Sequence, residues 1–168
     1  MNTNGRNKIV SIDDLIKLYY NSNDYDMLRD TTKSDYKYFL GVVSDSIGKD
    51  KFKGFTSRKA KWAYEDWVRR GVSFANHVAT CASRVFNYAI EMEYAMQNPF
   101  TSIKRKPEIK RKVVWKHEDV LKFLDVAYSD FTTRNIGLII QMTYEWCQRI
   151  GDMRTLRWSN LDFETKLL

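Results

Sequence analysis

The residues best equipped for chemistry lie in the stretch 144–162, YEWCQRIGDMRTLRWSNLD. Its centre is Arg149, with Asp152 at +3, Leu156 at +7, Trp158 at +9 and Asp162 at +13. A guanidinium carries a planar fork of donors and stays charged at every working pH. It can grip two oxygens of a phosphodiester and stabilise the charge that builds in a pentavalent transition state. A carboxylate three residues on is within helical reach, where it would orient the arginine or cap a neighbouring amide. The plain alternative is a surface arginine at a helix end, and on the arginine alone the two readings stand level.

A second chemical feature is a run of positive charge. The chain carries a net charge of +7, and residues 101–116 hold seven basic groups (Lys104, Arg105, Lys106, Lys110, Arg111, Lys112, Lys116) against the single acid Glu108. Such a cluster suits a phosphate backbone or an acidic partner, or else is a solvated linker. Other chemistries find little support. There is no nucleotide-binding loop, no carboxylate cluster for Mg²⁺ and no Ser/His/Asp set. Cys81 and Cys147 make no disulfide framework. His77 and Cys81 are four apart, but two ligands do not make a metal site, so no metal is expected. No apolar run approaches the ~20 residues of a membrane span, and the N-terminus lacks a signal-peptide pattern. A soluble, cytoplasmic protein with no membrane partner is expected.

Hydrophobic residues make up 43% of the chain, ample for a core, and helical periodicity predicts the elements that would position these groups. A first helix should start at Ser11, an N-cap with Asp14 at the third helical position, and bury Ile12, Leu15, Ile16 and Tyr19. A polar break follows over 21–26. A second helix over 32–47 should bury Tyr36, Phe39, Leu40, Val43 and Ile47 and stop at Gly48. Lys33 and Lys37 lie near its start, where the helix dipole offers cations nothing and an opposing anion would explain them. Residues 49–61 hold another basic run, including Arg58 and Lys59. Thr56 or Ser57 should cap a third helix ending near Gly71, with Ala60, Tyr64, Trp67 and Val68 inward and Trp62 off that stripe, facing an interface or groove. A fourth helix over 73–94 should bury Phe74, Val78, Ala82, Val85, Phe86 and Ala89, leaving Asn76, His77 and Arg84 on other faces. Asn98-Pro99 closes it. Beyond the basic segment, a helix should begin near Trp115, with His117 in its first turn and Val120, Leu121, Leu124 and Ala127 inward. Residues 135–146 are apolar almost all round, the pattern of a central, buried helix. Residues 163–168 read as the start of a strand.

The spacing around Arg149 resembles the first catalytic-arginine box of the tyrosine site-specific recombinases, the phage-integrase family. That box reads roughly Thr-Gly-x-Arg-x-x-Glu-Leu-x-x-Leu-x-Trp-x-Asp-Ile-Asp. The departures are Cys147 for the usual Gly, Gln148 for a frequent Leu and Asp152 for Glu, the first two bearing on the turn before the arginine. Upstream, Thr32 and Tyr36, Gly54, Gly71 to Ser73, and Asn98-Pro99 fall where that family's core-binding domain carries its signals.

The resemblance implies a mainly α chain. A four-helix SAM-like core-binding domain over 1–100 would be followed by a basic interdomain linker over 101–114. Residues 115–168 would be the first helices of an incomplete α/β catalytic domain. It implies double-stranded DNA as partner, self-association on DNA in the full-length protein, no cofactor and no small-molecule substrate. Arg149 would be the phosphate-binding catalytic arginine and Asp152 its support. The linker residues Lys104, Arg105, Lys106, Lys110, Arg111 and Lys112 would meet the phosphate backbone, with Arg58 and Lys59 adding charge. Lys33, Lys37, Asn76, His77 and Arg84 would face base edges from the second and fourth helices. The family's lysine on the following β-hairpin, its His-x-x-Arg pair, a further His or Trp and its tyrosine nucleophile would all lie beyond residue 168. The chain alone is therefore expected to be inactive: part of a recombinase, as a fragment or an interrupted gene. The alternatives are a non-catalytic DNA-binding module that works as it stands, and a helical protein-interaction domain with a basic linker.

Overall fold

Ser11 and Asp14 cap each other, and the first helix begins there. In the computed structural model, which describes residues 9–109, 112–160 and 164, α1 (Ile12–Tyr20) is preceded by a reciprocal cap. The Asp14 amide donates to the Ser11 hydroxyl at 3.2 Å, and the Ser11 amide donates to the Asp14 carboxylate at 3.0 Å. The Ser11 amide, then its hydroxyl, then the Val10 amide hold the Asp14 carboxyl below its usual range. Ser11→Ala should lower stability in urea unfolding by about 1 kcal/mol, the usual worth of an N-cap oxygen.

The polar break expected over 21–26 folds as a single turn, α2 (Asn23–Asp26), because Ser22 accepts from the Tyr25 amide at 3.2 Å and caps it. α3 (Asp30–Ile47) ends at Gly48, as read from the sequence, but for a different reason. Gly48 is right-handed (φ −56). A Cβ there would run into the Asp13 carboxylate and the Ser44 carbonyl, so the glycine answers a shortage of space. α4 (Ser57–Val68) is capped by Thr56, and α5 (Val72–Glu91) begins after Gly71, whose φ of 131° suits glycine. α5 stops three residues short of the expected Tyr94. Glu93 turns left-handed (φ 59) and the Tyr94 amide bonds back to the Ala89 carbonyl at 2.8 Å.

Ile12, Leu15, Tyr19, Leu40, Val43, Tyr64, Val78 and Val85 are the largest side chains fully removed from solvent, and they come from α1, α3, α4 and α5. One edge of this core is aromatic. Phe100 lies parallel to Trp67 at 6.1 Å and packs on Phe55 at 6.0 Å and Phe86 at 5.5 Å. Asn98, also buried, sets the turn that delivers it. The Asn98 amide donates to the Ser83 carbonyl and hydroxyl, each at 2.9 Å, and to Asn87 at 2.6 Å, while its side-chain oxygen accepts from the Phe100 amide at 2.9 Å.

The chain divides into two compact units, Met1–Lys110 and Arg111–Leu168. The second contains α6 (His117–Ser129), α7 (Arg134–Trp146), α8 (Ile150–Thr155) and a 3₁₀ turn, Trp158–Asn160. His117 pins α6 to α7, its Nδ1 lying 2.9 Å from the Tyr144 hydroxyl with the rings stacked. Gly137 lets the two helices approach, since a Cβ there would press on Ala127 and Tyr128. The expectation that α7 is buried on all sides is not met. Only Gly137 is buried, and Ile136 and Leu138 are 53% and 50% exposed. Among the described residues α7 packs on α6 and α8, which cover part of its surface, whereas a helix apolar all round needs cover everywhere. Leu121 of α6, expected inward, is exposed for the same reason. No strand occurs among the described residues; Ser11 and Lys51 form an isolated antiparallel bridge. The strand expected over 163–168 falls outside them apart from Glu164, which is in a turn.

Candidate nucleic-acid interface

Arg149 stands at a corner. α7 ends at Cys147, which is left-handed (φ 53, ψ 30), Gln148 follows, and Arg149 is extended (φ −76, ψ 143) as the N-cap of α8. The side chain is exposed, and no described residue bonds or pairs with its guanidinium. Asp152 makes neither contact expected of it: α8 begins without a side-chain cap, and no ion pair joins Asp152 to Arg149. Instead Asp152 lines an open cavity of about 340 Å³ with Gln148, Met153, Thr155, Leu156 and Asn160. Trp158 is 81% exposed, and Asp162 lies outside the described residues. Left-handed backbone costs a non-glycine residue roughly 1–2 kcal/mol. Cys147→Gly should therefore stabilise the second unit, by roughly 0.5–1 kcal/mol after glycine's own entropy cost, read as a rise in its unfolding midpoint.

The expected DNA contacts of the first unit separate by their partners. Arg84 is half-buried and engaged within the fold, pairing with Asp24 at 2.5 Å and Glu91 at 3.3 Å and hydrogen-bonding Tyr19. Asn76 is also engaged, accepting from the Tyr64 hydroxyl at 2.8 Å and donating to the Lys106 carbonyl at 3.2 Å. Lys106 is tied at both ends, its amide to the Tyr64 hydroxyl at 2.8 Å and its ammonium to Glu65 at 2.7 Å. Lys59 pairs with Asp50 at 3.5 Å, and Lys33 lies over the Tyr25 ring at 5.8 Å. His77 is exposed and stacks on Phe39 at 5.4 Å. Lys37, Arg58, Lys104 and Arg105 are exposed and have no ion-pair partner among the described residues. Lys112, in the second unit, is exposed as well, while Lys110 and Arg111 lie outside the described residues.

Two features were missed or only half seen in the sequence. Arg70 lies 4.0 Å over the Phe74 ring, beside Phe39 and the exposed Tyr38. Its adjacency to Gly71 at a helix start was the available signal. Trp62, read as off the core stripe, is 65% exposed and opens onto a groove of about 530 Å³ lined by Ser57, Arg58, Lys61, Glu65, Ser102 and Ile103. His77 and Cys81, four apart on α5, differ in exposure: His77 is exposed, whereas Cys81 is buried and its thiol is pushed up to about 12 by that burial. No helix among the described residues is long and apolar enough to cross a membrane.

No protein-family model matches the chain. The ICEBs1 integrase of Bacillus subtilis (strain 168) is 25% identical over 162 residues, which cover 94% of this chain and 43% of that protein. A lambda integrase dimer bound to a COC' core site superposes with a TM-score of 0.78 at 16% identity, covering 91% of this chain and 43% of that one. The Tn1549 transposon integrase in complex with circular intermediate DNA gives 0.76 at 17% identity, over 92% of this chain and 52% of that one. The chain thus spans about half the length of the proteins it matches or less. It has the fold of the corresponding part of the phage-integrase-family tyrosine recombinases, and it shares sequence with one integrase over nearly its whole length.

Proposed function

We propose that the chain supplies the DNA-binding part of a tyrosine recombinase that integrates or excises DNA by cutting and rejoining strands through a 3′-phosphotyrosine. The reading is carried by one observation: over nine-tenths of its length the chain has the fold of integrases whose structures hold DNA. In this proposal residues 1–100 form the core-binding domain, 101–114 the linker and 115–168 the start of the catalytic domain. The linker meets phosphates through Lys104, Arg105 and Lys112, with Lys110 and Arg111 between them. Lys33, Lys37, Arg58, Lys59 and His77 extend the contact. Asn76 reaches the DNA only where its ties to the linker allow, and Arg84 supports the fold. Arg149 grips a phosphate, and any support from Asp152 forms only with DNA bound, since the two do not touch here. The protein self-associates on DNA and works in the cytoplasm.

Equilibrium binding to duplex DNA across a range of salt concentrations tests this. Lys104→Ala and Arg105→Ala should weaken binding to all sequences alike, each lowering the salt slope by about 0.9. An unchanged slope in the double variant would remove the linker from the interface. The Trp62 groove favours a second reading, a protein-interaction surface, because an exposed indole beside Arg58 and Lys61 suits an acidic, partly apolar peptide as well as a phosphate.

A further inference from the structure

The Trp62 groove carries positive charge that no described residue meets. Glu65, the acid on its lining, already holds the Lys106 ammonium at 2.7 Å. Arg58 and Lys61 line the same groove, and neither has an ion-pair partner among the described residues. Trp62, one helical turn after Arg58, is 65% exposed. Ile103, itself packed on the core, adds an apolar wall. A volume of about 530 Å³ takes a short segment of chain rather than a folded domain.

The same unit carries a segment of the opposite character. After α5 the chain turns through the left-handed Glu93, and the Tyr94 and Ala95 amides both return to the Ala89 carbonyl, at 2.8 and 3.2 Å. Tyr94 and Ala95 pack on the core, so the turn is fixed from inside. Its outer side chains are left to solvent: Met92 is 49% exposed and Met96 98%. Glu91 pairs with Arg84 at 3.3 Å, whereas Glu93 is exposed and has no ion-pair partner among the described residues. An acid flanked by two methionines is therefore displayed on a preformed turn, which keeps the ordering cost of binding small. None of these three residues lines the groove of its own chain.

We propose that the turn 92–96 of one copy docks in the Trp62 groove of a second copy, with Glu93 meeting Lys61 and the methionines meeting the indole. The proposal rests on the self-association read above and names its surfaces. The match is of charge and of surface. An acid without a partner meets a cation without one, and Arg58 adds to the positive field. Thioethers make favourable contacts with an aromatic ring and adapt to an irregular groove. Turn and groove belong to one compact unit, so every copy carries both halves and the contact repeats from copy to copy. A single turn in an open groove binds weakly, and DNA that holds copies side by side raises their effective concentration.

Sedimentation equilibrium of the whole chain, without DNA and up to about 0.5 mM, tests the contact. Lys61→Glu and Glu93→Lys should each weaken self-association at least about tenfold, because each sets like charges against one another. Mixed in equal amounts, the two variants should recover association to within about threefold of the unsubstituted chain, since each supplies the charge the other needs. That recovery excludes misfolding as the cause of the loss. Trp62→Ala should weaken self-association about tenfold as well, and it should leave unchanged the binding to a duplex too short for two copies. A chain that stays monomeric, or that associates equally well in every variant, has no such contact. Weaker binding of Trp62→Ala to the short duplex would assign the groove to DNA and overturn the proposal. If the unsubstituted chain binds no duplex, the DNA-binding reading fails, while recovery in the mixture would still establish the contact between copies.

Discussion

Replacing Asn98 with alanine should destabilise the first unit by about 2–4 kcal/mol, since buried groups left without partners each cost about 1–3 kcal/mol. Asn98 is 7% exposed and ties α5 to the turn that carries Phe100. Its amide satisfies the Ser83 carbonyl and Asn87, both on α5, and its oxygen satisfies the buried Phe100 amide. Alanine leaves the buried Phe100 amide without its acceptor and takes a donor from the Ser83 hydroxyl and Asn87, while the Ser83 carbonyl keeps its helical bond within α5. The damage should spread to packing, because Phe100 is delivered by this turn onto Trp67, Phe86 and Phe55. Urea unfolding followed by tryptophan emission measures the loss. Lys104→Ala, at an exposed position a few residues on, should leave the midpoint unchanged. A change below about 1 kcal/mol in Asn98→Ala would mean that solvent reaches this turn and replaces its hydrogen bonds.

Arg149→Ala should do the opposite, sparing the fold and removing the chemistry. No described residue depends on the guanidinium, so the unfolding midpoint should stay within about 0.5 kcal/mol of the parent, as for surface substitutions generally. Strand cleavage should be read in a chimera, with this chain replacing the matching part of the ICEBs1 integrase. There Arg149→Ala should cut at least about 10²-fold more slowly, the cost of losing one preorganised donor to transition-state charge. Arg149→Lys should fail as well, because a point charge cannot reproduce a two-toothed grip on phosphate. Cleavage that survives Arg149→Ala would make the residue an ordinary surface arginine.

The parts of the fold that were legible in the sequence are those governed by neighbours within one or two turns. Ser11 and Asp14 announce a capping box by spacing alone, and Leu15, Leu40, Tyr64 and Val85 fall inward on helical periodicity. What stayed hidden depends on distant partners. Gly48 looks like a left-handed stop until Asp13, from another helix, is seen to fill the space above it. Glu93 carries no signal for its left-handed turn, so α5 was drawn too long. The apolar composition of α7 tells how much cover the helix wants and not what provides it. The candidate site shows the same division. The box around Arg149 could be read from spacing because it is local, and the role of Arg149 stands as a proposal. Arg84 and Asn76 were read as facing DNA, since a polar residue on an outer helix face looks the same whether it awaits a ligand or holds Asp24 or Lys106. Asp152 was assigned to Arg149 on spacing, and the extended backbone at Arg149 breaks the helical register that spacing assumed.

The central claim, that this chain engages duplex DNA, is tested most directly by binding the unsubstituted chain to labelled duplex in the presence of excess polyglutamate, over a series of salt concentrations. The account predicts that the DNA complex persists against the competitor and that its binding constant falls log-linearly with salt, at a slope reporting several phosphate contacts of about 0.9 each. Displacement of DNA by polyglutamate at matched charge, or no complex even at about 50 mM salt, would contradict it, the first of these leaving a basic surface that meets any acidic polymer.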